Sequence, residues 1–81
     1  MENLKEFKKY LKSLDEEHLI KFFKLADLSE LEYWLAFYSI CKKRMVENTC
    51  MKLSISRAYY FILYNKILLK LYYTIKQNEK V

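Results

Sequence analysis

Not one of the 81 residues of this chain is glycine or proline. The residues that most readily supply a positive φ or a preset turn are therefore missing, and reversals of the chain must come from Ser, Asp and Asn. This favours helices joined by short polar connections. No alternation of apolar and polar residues of useful length occurs before the C-terminal segment, and there is no internal repeat or low-complexity linker.

The spacing predicts a first helix from Asn3 to Ser13, with Leu4, Phe7, Leu11 and Leu14 on one face and Lys5, Lys8, Lys9 and Lys12 around the other. Ser13 to Asp15 breaks it. Asp15, Glu16 and Glu17 then place negative charge in the first turn of a second helix, complementing its dipole. That helix is expected to bury Leu19, Phe22, Phe23 and Ala26. Ser29, followed three residues on by Glu32, forms a capping box and opens a third helix. This one carries Leu31, Trp34, Leu35 and Tyr38 on one stripe and Phe37 and Ile40 on another. It ends in Lys42-Lys43-Arg44, where cations offset the dipole or, alternatively, clamp phosphate.

Residues 46–66, VENTCMKLSISRAYYFILYNK, read as a short helix over Val46–Leu53, a tight turn, and a helix from Arg57 to about Lys70 or on to Lys76. Ser56 offers a hydroxyl oxygen to the free N–H groups opening the last helix. Cys50 lies one turn before Ser54, where a small side chain lets the next helix cross closely. Tyr60, Leu63 and Ile67 give that helix a buried stripe. Leu71-Tyr72-Tyr73-Thr74-Ile75 has the β-branched and aromatic content of a strand, so helix and short C-terminal strand both stand open there. Gln77 to Val81 is expected to fray. The expected fold is all-α, one domain over residues 1–81, a compact bundle of four to five helices.

Residues 46–66 resemble the helix-turn-helix of transcription regulators, in which a capped second helix enters the major groove and its first residues touch bases or phosphates. Cys50 takes the place of the family's usual alanine and Ser54 that of the turn glycine. Ile55 stands for the buried turn aliphatic, and Ser56 and Arg57 for the polar opening of the recognition helix. A strand at 71–75 would correspond to the wing of winged-helix proteins. The resemblance implies a transcriptional regulator acting as a homodimer on double-stranded DNA. Its contacts would come from Ser56, Arg57 and Lys52, from Asn65 and Lys66 farther along, and from Lys42, Lys43 and Arg44 before the unit. Two departures stand out. Ser54 would be a non-glycine residue in a left-handed conformation, at a cost of about 1 kcal/mol. Phe61 and Ile62 are apolar where readers of base edges are Arg, Lys, Asn or Gln.

Charge bears on the same question. The net charge of +5 divides into −2 over residues 1–40 (six Lys, eight Asp and Glu) and +7 over residues 41–81 (nine Lys and Arg, two Glu). A basic half draws polyanions through counterion release. Eight Tyr, five Phe and one Trp are also more aromatic surface than an 81-residue core readily hides. Tyr59, Phe61, Ile62, Tyr64, Tyr72 and Tyr73 are therefore candidate interface residues, for a dimer or for a protein partner. Tyrosines beside lysines can also stack on unpaired bases. The alternative function is a helical interaction module, an inhibitor or adaptor of viral or plasmid type, using that aromatic face without DNA.

Catalysis finds no footing. Asp15, Glu16 and Glu17 serve a helix start, His18 has no nucleophile nearby in sequence, and no glycine-rich loop exists to cradle phosphate. The chain is expected to be no enzyme and to need no cofactor. Cys41 and Cys50 with His18 make no metal ligand set, and both cysteines are expected to be reduced, small core residues. No secretory signal opens the sequence, and no segment approaches the roughly 18 apolar residues of a membrane span. A cytoplasmic protein without a membrane partner is expected.

Overall fold

The computed structural model describes residues 4–79. The expected start at Asn3, the side chain of Leu4 and the end of the tail at residues 80–81 lie outside the described part. The order is α1 (Leu4–Ser13), α2 (Glu16–Leu25), α3 (Glu30–Ala36), a π-helical turn (Phe37–Cys41), α4 (Val46–Leu53) and α5 (Arg57–Glu79).

The polar residues that had to replace glycine and proline do so at several helix ends, although α4 opens at Met45 without a side-chain cap. The Asp15 carboxylate caps α2 by accepting the His18 backbone N–H at 2.9 Å, and lies 2.6 Å from the imidazole Nδ1. The His18 backbone N–H, then the imidazole, hold Asp15 below the usual carboxylate range. Ser29 and Glu32 make both bonds of the capping box, at 3.2 and 2.9 Å. The Ser56 hydroxyl accepts the Tyr59 N–H at 3.1 Å and opens α5. Among the described residues three carry the left-handed backbone that glycine usually supplies: Asp27 (φ 55°), Lys43 (φ 54°) and Ser54 (φ 56°).

Ser54 ends α4, and the Ile55 N–H reaches back to the Cys50 carbonyl at 3.1 Å, closing the left-handed cap. A Cβ in that region costs on the order of 1 kcal/mol. Ser54→Gly is therefore expected to raise stability by about 0.5–1 kcal/mol, read as a higher urea midpoint at unchanged slope. A midpoint at or below that of the parent chain would show that residue 54 carries no such strain.

The core forms around α5. Its Tyr60, Leu63, Ile67, Leu68, Leu71 and Ile75 are buried, with Phe7 and Leu11 of α1, Leu19 and Phe23 of α2, Leu35 and Ala36 of α3, and Ile40 of the π turn. Phe22 and Ala26, expected in the core, are half-buried at its edge. Trp34, on the same stripe of the third helix as Leu31, Leu35 and Tyr38, is 41% exposed, whereas Leu35 is wholly buried. Thr49 is wholly buried, and its hydroxyl has no hydrogen-bond partner among the described residues.

Of the helix and the strand left open for residues 71–75, the structure has the helix: these residues lie within α5, and no strand occurs among the described residues. Leu71 and Ile75 continue the buried stripe begun at Tyr60, at helical spacing. Burial at a period of three and four residues outweighs the weaker, context-dependent strand preference of Tyr, Thr and Ile. Gln77 and Asn78, expected to fray, are helical as well.

Candidate interaction surfaces

Helix α5 is apolar on two sides. Away from its buried stripe it exposes Tyr59 (45%), Ile62 (54%), Leu69 (44%) and Tyr73 (63%). The intervals of three, seven and four residues set all four on one face. Lys66 and Lys76 are exposed among them. Between Arg57 and Asn78 the helix has four cations (Arg57, Lys66, Lys70, Lys76) and no carboxylate. Of the four apolar residues, sequence reasoning named Tyr59, Ile62 and Tyr73 but passed over Leu69. A second three-and-four spacing, out of phase with Tyr60, Leu63 and Ile67, was the signal that could have found it.

The other expected interface residues lie elsewhere on the helix. Phe61 is 44% exposed, with the Arg57 guanidinium 5.9 Å from its ring centre and the Tyr60 ring 5.1 Å away at a steep angle. Tyr64 is half-buried, stacks on Tyr60 at 5.7 Å and has the Lys8 ammonium 5.4 Å from its ring. Burial, with Tyr60 beside it, raises the Tyr64 phenol above its ordinary pKa. Tyr72 is half-buried and meets Phe7 at 5.5 Å in a T-shaped contact. Tyr64 and Tyr72 thus help join α5 to α1.

The basic residues divide into separate groups. Arg57, at the helix end where a cation opposes the dipole, pairs with Glu47 of α4 at 3.1 Å. That contact, with the Phe61 ring beside it, accounts for a cation at this position. Lys42 pairs with Glu16 of α2 at 3.3 Å, and its ammonium lies 5.3 Å from the Phe37 ring centre. Lys52 of α4 places its ammonium 5.7 Å from the Tyr38 ring centre. Lys42 and Lys52 therefore meet at one aromatic cluster. Lys43 and Arg44 are exposed beside it, and the Arg44 N–H donates to the Tyr38 carbonyl at 2.9 Å. Asn65 and Lys66 are exposed about 12 Å along α5 from Arg57, at 1.5 Å per residue. Ser56 is engaged as the α5 cap.

The remaining reactive groups are placed as small packing residues. The half-buried Cys41 thiol is pushed up to about 11, by burial first and by Glu16 second, so it is a poor nucleophile at neutral pH. Cys50 is half-buried, its sulfur 3.8 Å from the Ser56 carbonyl where α4 meets the start of α5. Among the described residues no cluster of three His, Cys, Asp or Glu side chains is placed to hold a metal ion. No helix among them is long and apolar enough to cross a membrane. No protein-family model, curated protein or solved structure matches this chain.

Proposed function

We propose that this chain is a helical protein-interaction module whose working surface is the outer face of α5. One observation carries the reading: the helix that supplies the core from one side exposes Tyr59, Ile62, Leu69 and Tyr73 on another. Single exposed apolar residues are ordinary, whereas four large ones on one face of a rigid helix, broken only by Lys66, cost solvation free energy unless a partner covers them. Tyr is also well suited to such contacts, with large area and few rotamers to freeze.

Charge selects the partner's chemistry. Lys66 stands inside the row and Lys76 at its end, with no carboxylate on the same helix before residue 79. A second copy of the helix laid antiparallel about its middle would bring like charges together. A partner with an apolar face that carries acidic groups opposite Lys66 and Lys76 meets both features.

Photocrosslinking tests this. A photoreactive amino acid at Leu69 should trap one discrete partner protein in the cells that make the chain, and the adduct should vanish when Ile62→Asp is added. The same group at exposed Glu17 on α2 should not trap it. Identical adducts from both positions, or adducts only between copies of this chain, would overturn the proposal.

A second reading, a homodimeric helix-turn-helix regulator on duplex DNA, is favoured by the +7 charge of residues 41–81 and by the short Ser54–Ser56 connection into a capped helix. Against it stand the pairing of Arg57 with Glu47 and the apolar Tyr59, Phe61 and Ile62 on the exposed first turns of α5. Anisotropy of a labelled random duplex at about 50 and 200 mM salt, with Arg57→Gln for comparison, decides it.

A further inference from the structure

A second surface lies on α3 and the π turn, independent of the α5 face. We propose that it binds single-stranded nucleic acid, with Trp34 stacking on an unpaired base and the surrounding cations holding the phosphates.

The aromatic half is a compact cluster one helical turn deep. Trp34, 41% exposed, stacks on Tyr38 at 6.0 Å and 30°, and Phe37 stands steeply to both, 5.7 Å from each. These contacts hold the indole in a fixed position before any ligand arrives, so little side-chain entropy remains to be lost on stacking. The π-helical turn, Phe37–Cys41, carries the chain on from Trp34. Its wider winding sends the Lys42 N–H to the Phe37 carbonyl at 3.0 Å, and the chain then doubles back so that the Arg44 N–H meets the Tyr38 carbonyl.

The cationic half is built by that reversal. Lys43, in the left-handed region at φ 54°, turns the chain so that Lys42, Lys43 and Arg44 gather at the end of the aromatic helix. Lys52 enters from α4, its ammonium over Tyr38. Carboxylates on the neighbouring elements include Glu16, paired with Lys42, Glu47 of α4, paired with Arg57, and exposed Glu30, one turn before Trp34. Lys43, Arg44 and Lys52 have no carboxylate partner among the ion pairs of the described residues. Rings interleaved with cations on an open surface suit a strand whose bases are free to stack. A duplex keeps its base faces covered, so the rings would add nothing to its binding. The sequence pattern offered Lys42, Lys43, Arg44 and Lys52 for duplex phosphates and gave Trp34 no role beyond its stripe on the third helix.

Trp34 is the only tryptophan, which makes the site its own reporter. Titration with a 15-nucleotide oligothymidylate at about 50 mM salt should quench Trp34 emission with a micromolar midpoint, and at about 200 mM salt the midpoint should weaken severalfold. With a labelled strand read by anisotropy, Trp34→Leu is expected to weaken binding by about tenfold, and Lys52→Ala by severalfold. Leu69→Asp should leave it unchanged, which separates this site from the α5 surface. The proposal is overturned by the absence of binding at low salt, by equal affinity for a duplex of the same length, or by Trp34→Leu and Lys52→Ala variants that bind as tightly as the parent.

Discussion

Leu68→Asp is expected to abolish the fold, while Leu69→Asp, one residue on, leaves it standing. Leu68 is wholly buried and Leu69 is 44% exposed. A carboxylate at 68 loses about 2–3 kcal/mol of leucine burial and adds several more for an unpaired charge in the core. A domain of this size has roughly 4–12 kcal/mol to lose. Far-ultraviolet circular dichroism of Leu68→Asp at 25 °C should therefore show little helix and no cooperative melting. For Leu69→Asp the loss is limited to poorer helix propensity and a small surface term, together within about 1 kcal/mol. The same substitution should nonetheless remove binding to the partner of the outer face. If Leu69→Asp unfolds the chain as Leu68→Asp does, the outer face is part of the folding core and the interaction reading fails. If Leu68→Asp keeps its helix content and melts cooperatively, the inward face of α5 has been assigned wrongly.

Local features of this fold were legible in the sequence, because capping chemistry and helical spacing act over three or four residues. Ser29 with Glu32, Asp15 before α2 and Ser56 before α5 each stand where a side-chain oxygen meets backbone N–H groups. The stripe of Tyr60, Leu63 and Ile67 is buried as its spacing requires. Ser54 takes the left-handed conformation that the missing glycine would have eased. What the sequence withheld was every pairing that spans the fold. Arg57 looked unexplained at a helix start because Glu47 stands ten residues away on another helix. The continuation of α5 through Leu71–Ile75 depends on burial against other elements, which a propensity scale for Tyr and Thr cannot register. Trp34 shows the same limit in reverse. Its spacing set it on one stripe with Leu31, Leu35 and Tyr38, but spacing alone does not say which edge of that stripe meets the rest of the fold. The buried side of α3 is made by Glu32, Leu35 and Ala36, and Trp34 stands on the opposite side, one ordinary helical turn from Phe37 and Tyr38.

Lys70→Met is expected to cost about 1–2 kcal/mol at pH 7, the penalty of an unpaired buried carboxylate discounted because Lys70 is itself partly exposed, and to cost less as the pH is lowered. Glu32 is 5% exposed, and its Oε1 accepts from the Lys70 ammonium at 2.7 Å and from the Ser29 N–H at 2.9 Å. Burial by itself pushes the Glu32 carboxyl up, but Lys70 and the Ser29 N–H together outweigh it and hold the group below its ordinary value of 4.5. A depressed native pKa means that the folded state prefers the ionised form. The contribution of Glu32 to stability is therefore complete above the ordinary value and is lost as pH falls through the lower native one. Without Lys70, burial dominates and the native carboxyl titrates higher than in the parent. Protonation then relieves the variant over the pH range in which the parent is still ionised. Urea unfolding of both chains at pH 7, 5 and 4 measures this, and the difference between them should shrink toward pH 4. A difference that stays constant with pH would mean that Lys70 stabilises the contact between α3 and α5 through its aliphatic stem, with the ion pair contributing nothing.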